Sequence, residues 1–263
     1  MSELIHLNPW QELKRYTSAR IALGRTGVSL PTEALLHFGL AHAQARDAVH
    51  QPLQVAQLSS DLRQLNHPVL TVHSAARNRE EYLRRPDLGR RLAPESLTQL
   101  QALPAQEFDL AILIGDGLSS TALHQNGYPF LQALWPHLRR LGLTVAPLVI
   151  AEQSRVALGD EVGHALHSRA VLVMIGERPG LTSPDSMGLY LTWQPEVGRL
   201  DSERNCISNV RPAGLDLPQA AYKLAWLLEQ AFVRRLTGVG LKDESEQPQS
   251  VLAPAAPQPL QEQ

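Results

Sequence analysis

Apolar runs alternate with helical patterns through the second half of the chain. EFDLAILIGDGLSS (107–120), LTVAPLVIAEQS (143–154) and AVLVMIGERPG (170–180) each contain a nearly continuous apolar segment that ends in a polar turn. Such runs are typical of strands covered on both faces of a sheet. MGLYLTWQP (187–195) predicts a fourth strand of this kind. Because helical segments separate most of these strands, the pattern predicts right-handed βαβ units and a parallel sheet flanked by helices.

The first half is mainly helical in pattern. NPWQELKRYTSAR (8–20) predicts a short amphipathic helix, and a longer one follows over 32–50 with Thr32 as its candidate N-cap. A strand is predicted at 68–73 and a helix from Pro94 to Leu103.

Two segments complete the pattern at the end of the chain. PQAAYKLAWLLEQAFVRRLTG predicts an amphipathic helix, with Pro218 near its start and Gly238 just beyond its end. The tail 242–263 is rich in Pro, Gln and Ala, and this composition predicts disorder.

Composition excludes several classes of protein. The net charge is −2 and no long basic run occurs, so nucleic-acid binding has no electrostatic support. No apolar run approaches the roughly 20 residues of a membrane span, and the N-terminus lacks the apolar core of a secretory signal. A single cysteine, Cys206, precludes an internal disulfide and fits a reducing compartment, so the cytoplasm is expected. The sequence also lacks cysteine pairs and closely spaced histidines (HxH or HxxxH) joined to carboxylates, which argues against a metal site built by the protein.

The carboxyl ends of the predicted strands carry the candidate chemistry, because a doubly wound sheet binds ligands there. GDGLSS resembles a dinucleotide fingerprint only weakly, since Ser120 stands where the third glycine belongs, yet it leaves an NAD-binding oxidoreductase as one alternative. The favoured interpretation of this segment is a plain strand-to-helix turn capped by Asp116 and Ser119. In GERPG, the turn requires Gly176, Pro179 and Gly180 but has no use for Glu177. The pattern therefore predicts a ligand-binding α/β domain without naming its ligand.

Five segments of the sequence together resemble those of a known protein family. They are RIALGRTGVSLPTEALLHFGLAHAQARDAV, EYLRRPDLGRRL, LIGDGLSSTAL, VMIGERPGL and RNCISNVRPAG. In this order the sequence resembles the small subunit of ethanolamine ammonia-lyase, from about Asn8 to Gly240. GERPGL and CISN are specific in combination, although each alone is a weak signal.

The resemblance implies an activity, a cofactor and a partner. The family's enzyme converts ethanolamine to acetaldehyde and ammonia with adenosylcobalamin, by a radical migration of the amino group. Its large subunit is a TIM barrel that holds the substrate, and the small subunit covers the barrel mouth with the corrin between the two chains. The expected fold is a Rossmann-like cobalamin-binding domain over 106–241. It is preceded by an N-terminal helical portion over 1–105 that packs on the core and on the partner chain.

Three cofactor-binding residues carry over from the resemblance: Val156, Glu177 and Cys206. Val156 would give an apolar or backbone contact, Glu177 would accept hydrogen bonds from the cofactor, and Cys206 would make a close contact near the corrin or its nucleotide tail. The motif Asp-x-His-x-x-Gly, which offers a histidine to cobalt, is missing, so the cofactor is expected to keep its own base on the metal. No catalytic residue is expected on this chain.

Other interpretations of the same residues remain open at this point. Val156 could be an ordinary core residue, Glu177 and Arg178 a local ion pair, and Cys206 an inert thiol. RRPDLGRR (84–91) is interpreted as a weak candidate for the interface with the large subunit. An alternative function is a non-catalytic module that binds cobalamin or a nucleotide. Many relatives carry an N-terminal extension that is associated with packaging into a protein-shelled microcompartment. This sequence begins almost at the domain, so such packaging is not expected.

Overall fold

The structure, a computed structural model, describes residues 5–246 of the 263-residue chain. Six strands and seven α-helices make up the described fold. The strands are β1 (Val69–His73), β2 (Phe108–Gly115), β3 (Leu148–Glu152), β4 (Ser168–Gly176), β5 (Met187–Trp193) and β6 (Arg204–Val210). The helices are α1 (Thr32–His50), α2 (Val55–Arg63), α3 (Arg79–Arg84), α4 (Pro94–Gln101), α5 (Ser120–Arg140), α6 (Leu158–Ala165) and α7 (Leu217–Arg234).

All six strands belong to one sheet in the order β1-β3-β2-β4-β5-β6. The pairs β1–β3, β3–β2 and β2–β4 are parallel, as the alternation of strands and helices predicts. The pairs β4–β5 and β5–β6 are antiparallel. The α/β class with flanking helices is confirmed, whereas the predicted parallel arrangement does not extend to β5 and β6, so the sheet is mixed. The Rossmann-like topology stays a prediction. The segment 177–186 between β4 and β5 contains no helix, and a parallel return needs a long crossover.

Two apolar cores cover the faces of the sheet. One packs α2, α5 and α7 against one face, and its members include Phe130, Leu134 and Leu228, which are fully buried. The other packs α4 and α6 against the opposite face. Burial on both faces explains why β2, β3 and β4 are such continuous apolar runs. Helix α7 begins with Asp216 as its N-cap, whose side chain accepts from the backbone N–H of Gln219, and Pro218 lies in its first turn.

The N-terminal portion is less packed than the rest of the chain. The predicted helix over 8–20 is a 3-10 helix over Pro9–Tyr16 without a single buried residue, whereas α1 is confirmed at Thr32–His50. The N-cap of α1 is Pro31 and no side chain caps the helix, so the predicted capping role of Thr32 is wrong. β1, which also lies before residue 105, is part of the common sheet. The division of the chain at that residue stays a prediction.

The start of the predicted tail is anchored to α7. Lys223 contacts the carboxylates of Asp243 and Glu246 at 3.4 and 2.7 Å. The remainder of the tail lies outside the described residues. Among residues 5–246, no helix is both long and apolar enough to cross a membrane.

Candidate functional site

A cleft of about 400 Å³ opens where β2, β3 and β4 end. The strand ends meet there because carboxyl ends of parallel strands share one edge of a sheet. The residues that line the cleft are Tyr82, Gly117, Leu118, Arg155, Val156, Ile175, Gly176, Glu177, Arg178 and Tyr190. Val156 and Glu177, two of the three predicted cofactor-binding residues, are therefore brought together in one cleft.

Two glycines form the floor of the cleft. Gly117 has a positive φ of 54°, and a Cβ atom at this position would lie 2.2 Å from the carbonyl oxygen of Gly176. The backbone N–H of Leu118 donates to that same oxygen at 2.9 Å. The turn after β2 and the end of β4 can approach this closely only without side chains. Gly117 of GDGLSS and Gly176 of GERPG thus allow the two turns to approach each other closely.

The first turn of α5 is occupied by protein contacts, which leaves little for a phosphate group. Ser119 caps the helix, accepting from the N–H of Ala122 at 3.4 Å and donating to the carbonyl of Pro184 at 2.6 Å. Ser120 donates to the carbonyl of Gln51 at 2.9 Å. The predicted capping role of Ser119 is confirmed. Dinucleotide-binding folds leave the N–H groups at this turn free for the pyrophosphate. Here the N–H groups of Leu118, Ser119 and Ala122 donate to acceptors within the chain, which speaks against the NAD alternative.

Asp116, the other residue predicted to cap this turn, instead organises the turn after β3. Its buried carboxylate accepts from the backbone N–H groups of Gln153 and Ser154 at 3.0 and 2.9 Å. It also pairs with the guanidinium of Arg79 at 3.1 Å. These contacts fix the segment that carries Arg155 and Val156 into the cleft.

Glu177 lies immediately after β4 and is half-buried. Its Oε1 accepts from the hydroxyl of Ser208 at 2.6 Å, and its Oε2 accepts from the hydroxyl of Ser186 and from the N–H of Asn209. The carboxylate therefore contacts hydroxyl and amide groups rather than the guanidinium of Arg178. A carboxylate has about four acceptor positions, so Oε1 keeps capacity for one more donor.

Val156 is half-buried on the wall of the cleft, just before α6. Its carbonyl accepts from the N–H of Gly159 at 3.0 Å, which begins the helical turn. The apolar side chain is therefore the part that Val156 can offer to a ligand.

Cys206 lies on β6, directly opposite Tyr190 of β5 in the antiparallel register. The residue is exposed, yet partial desolvation of the sulfur raises the pKa of the thiol, and the charge of Glu177 acts in the same direction. Burial likewise raises the pKa of Tyr190, so both groups are neutral at physiological pH. Cys206 does not line the cleft itself but neighbours it through Tyr190.

Arg155 is a cleft residue that the sequence pattern does not reveal. Its guanidinium carbon lies 4.4 Å from the ring centre of Tyr82, and its buried Nε has no hydrogen-bond partner within residues 5–246. The same holds for Oε1 of Gln153, two residues earlier. Buried polar atoms without partners are uncommon in folded proteins, and at a cleft they point to a ligand. Within the described part of the chain, no group of three or more His, Cys, Asp or Glu side chains is arranged to hold a metal ion.

A second surface lies on the N-terminal arm, which we define as residues 5–40. Many large apolar side chains of the arm are exposed to solvent. They are Ile5, Leu7, Trp10, Leu13, Tyr16, Val28, Leu30, Leu35, Leu36, Phe38 and Leu40. Exposed large apolar side chains concentrated in one segment are typical of an interaction surface. Arg20 joins the arm to the rim of the cleft, donating to the carbonyl of Leu181 at 3.2 Å.

A further hollow of about 780 Å³ lies within the arm, between residues 6–9 and 22–30. Although it is larger than the cleft at the strand ends, it collects none of the predicted cofactor residues, so the cleft is the stronger candidate for ligand binding.

Comparison with known proteins gives a consistent result. The family model described as ethanolamine ammonia-lyase light chain matches residues 7–242. A protein of Azotobacter vinelandii, named ethanolamine ammonia-lyase small subunit, is 54% identical over 242 residues, which are 91% of this chain and 90% of the relative. Proteins with the same name from Ralstonia nicotianae and Pseudomonas aeruginosa are each 51% identical, over 92% and 91% of this chain and 90% and 89% of their own.

Proposed function

The chain belongs to the ethanolamine ammonia-lyase light-chain family, and from that premise we propose that it binds one side of adenosylcobalamin in the cleft at the ends of β2, β3 and β4. It is a subunit of an ammonia-lyase, and the family's name implies a large subunit as its partner. In this proposal the large subunit, a TIM barrel, holds ethanolamine and covers the other side of the cofactor.

The size of the cleft supports a shared site. Pockets that enclose a drug-sized ligand measure about 300–1,000 Å³ and bury most of its surface. Adenosylcobalamin is much larger than such a ligand, and the cleft measures about 400 Å³. The cleft can hold an edge of the cofactor, and the remaining surface has to be covered by another chain.

The chemistry of the lining also suits the cofactor. Amide side arms surround the corrin, so a matching surface needs acceptors and donors between apolar patches. Glu177 offers the remaining acceptor position of Oε1, and Val156 and Ile175 offer apolar contact. The Nε of Arg155 is a donor in the cleft without a partner among residues 5–246. Together these groups fit one edge of the cofactor.

In this proposal the residues of this chain bind the cofactor and shield it from water, whereas the cofactor itself carries out the radical step. When bound, adenosylcobalamin supplies the radical chemistry that allows the amino group of ethanolamine to migrate before ammonia is lost. Glu177, fixed by Ser186, Ser208 and Asn209, would hold the amide groups at one orientation. Val156 and the ring of Tyr190 would keep water out of the site. Cys206, with its neutral thiol beside Tyr190, would contact the cofactor without reacting.

The exposed apolar residues of the N-terminal arm are the surface on which we place the large subunit. The 3-10 helix Pro9–Tyr16 buries none of its residues in this chain, and an isolated helix of that length is marginal in water. Burying Trp10, Tyr16 and Leu36 against a partner would stabilise it. Because Arg20 fixes the arm to the rim of the cleft, a partner bound to the arm would also cover the cofactor.

Reconstitution of the two subunits tests the proposal. We measure two quantities for the large subunit, with and without this chain. One is the binding of adenosylcobalamin, monitored by its absorption spectrum, and the other is the turnover of ethanolamine. We expect tight binding and turnover only in the complex. Equal affinity and equal turnover without this chain would contradict the proposal.

A further inference from the structure

Arg155 is held in the cleft without a counter-charge. Its side chain forms no hydrogen bond or ion pair with any residue in the described range, and its Nε is buried. The neighbouring Arg79 differs in having a counter-charge, because its Nη1 pairs with Asp116 at 3.1 Å, although its buried Nη2 also lacks a partner within residues 5–246. Asp116 accepts from Arg79, Gln153 and Ser154 and forms no hydrogen bond or ion pair with Arg155. A partly buried guanidinium without a partner is costly unless a ligand supplies one.

The surroundings of Arg155 fix its position. The ring of Tyr82 contacts both Arg155 and Arg79, whose guanidinium carbons are 4.4 and 4.9 Å from its centre. The hydroxyl of Tyr82 donates to the carbonyl of Ser154 at 2.8 Å, which fixes the ring in turn. Arg155 is therefore a pre-positioned group, and Arg suits planar recognition of oxygen anions.

Gly89, in the segment RRPDLGRR, completes this arrangement. A Cβ atom at residue 89 would lie 2.8 Å from the ring of Tyr82 and 3.0 Å from Cγ of Arg155. The carbonyl of Gly89 accepts from the backbone N–H of Arg155 at 2.8 Å. The glycine thus allows the 84–91 segment to lie directly against both side chains, which gives this segment a role in positioning Arg155.

We propose that Arg155 forms an anion subsite of the cleft, and that its ligand is the phosphodiester of the nucleotide tail of the cofactor. The inference rests on the proposed function, because it assigns one part of the same ligand to one residue. The phosphodiester is the anionic group of a ligand whose side arms are otherwise neutral amides. Arg178 lines the same cleft and also adds positive charge.

The subsite is separate from Glu177. Arg155 follows β3 and Glu177 follows β4, and β2 lies between these strands in the sheet. Two strand spacings amount to roughly 10 Å, so an anion beside Arg155 is well removed from the Glu177 carboxylate. One end of the cleft thus suits the phosphodiester and the other end suits amide groups.

Two corrinoid probes test the assignment on the complex of both subunits in phosphate-free buffer. Adenosylcobinamide phosphate carries a phosphate group, whereas adenosylcobinamide has none. Arg155→Met should weaken binding of the phosphate-bearing probe by about 10–100-fold and change binding of the other less than about 3-fold, the range expected for a charged hydrogen bond. Arg155→Lys should recover part of the loss, since it restores the charge without the planar fork.

Two further variants make the result decisive. Gly89→Ala should reproduce the selective loss, because its Cβ would displace the ring of Tyr82 and the Arg155 side chain packed on it while Glu177 and Val156 are untouched. Arg139→Met, an exposed residue of α5, removes the same charge elsewhere and should alter neither affinity. Equal losses for both probes, or no loss for either, would overturn the anion subsite while leaving cofactor binding intact. If the wild-type complex binds neither probe nor adenosylcobalamin, the proposed function fails as well.

Discussion

The carboxylate of Glu177 accepts a hydrogen bond from the hydroxyl of Ser208 at 2.6 Å, which joins the loop after β4 to the strand β6. The two residues belong to the segments GERPG and CISN, which are 31 residues apart in the chain. The structure therefore brings together two of the motifs on which the resemblance to the family depends. Their contact explains why a glutamate occupies a turn that needs only glycine and proline.

Replacing Glu177 tests its proposed contact with the cofactor. Glu177→Ala should weaken adenosylcobalamin binding to the complex by about 1–3 kcal/mol, the value of a hydrogen bond to a charged group. Ser208 and Asn209 are exposed and can turn to water, whereas the buried hydroxyl of Ser186 loses its acceptor, so we expect a folded variant with a modestly lower melting temperature. Binding is measured by titration and folding by thermal unfolding. Glu229→Ala, at an exposed position of α7, serves as the control, and unchanged affinity in folded Glu177→Ala would limit Glu177 to the turn.

Trp10 tests the arm as the docking surface for the large subunit. Its side chain is 66% exposed, and buried tryptophans dominate the binding energy of many interfaces. Trp10→Ala should weaken subunit association by at least about tenfold, or about 1.4 kcal/mol, without lowering the melting temperature. Association is measured by calorimetry. Val233→Ala, where the side chain is 74% exposed on α7, should have no effect, and equal effects of both variants would argue against the arm.

The sequence predicts the centre of the fold well because burial there has a simple signature. The interior strands β2, β3 and β4 are covered on both faces, so their residues are apolar almost without interruption. Strand β6 was not predicted, because it is the last strand of the sheet and only Arg204, Ile207 and Val210 are buried in it. Arg204 is polar, so this pattern does not resemble an apolar strand.

The cleft was predictable only in part. Polar residues at strand ends indicate its place, and the resemblance supplied Val156, Glu177 and Cys206, whose cofactor contacts stay predictions. Arg155 has no local signal, because its role depends on Tyr82 and Gly89, which lie more than 60 residues earlier. The direction of β5 had a signal in the helix-free segment 177–186, which favours an antiparallel return.

The buried pair of Arg204 and Asp160 stabilises the antiparallel edge of the sheet. Both side chains are 2% exposed and form two hydrogen bonds of 2.6 Å, which connect β6 to α6. Asp160→Asn should lower the free energy of unfolding by about 3–5 kcal/mol, because it leaves a buried charge without its partner. Urea unfolding measures the change.

Asp201 provides the matched control for this pair. It contacts the same Arg204 at 3.4 Å, but its side chain is 97% exposed. Asp201→Asn should change the free energy of unfolding by less than about 1 kcal/mol. Similar losses for both variants would show that burial does not determine the strength of the pair.

His124 makes stability depend on pH. Its Nε2 accepts from the backbone N–H of Gln54 at 2.9 Å, and burial lowers the pKa of the imidazole below its ordinary value of 6.5. Below pH 6.5 the unfolded chain binds a proton that the folded chain does not, so the free energy of unfolding falls until the folded pKa is reached.

A pH series of urea unfolding curves measures this effect. His124→Gln should flatten the dependence between about pH 6.5 and the lower folded pKa. His37→Gln, at an exposed position of α1, should leave it unchanged. A decline that persists in full in His124→Gln would assign the pH dependence to other groups.

A cryo-electron microscopy structure of the two-subunit complex with adenosylcobalamin tests the central proposal most directly. The account predicts the corrin against the ends of β2, β3 and β4, with Glu177 in hydrogen-bonding contact and Val156 and Cys206 in van der Waals contact. A cofactor enclosed by the large subunit alone, remote from these three residues, would contradict it.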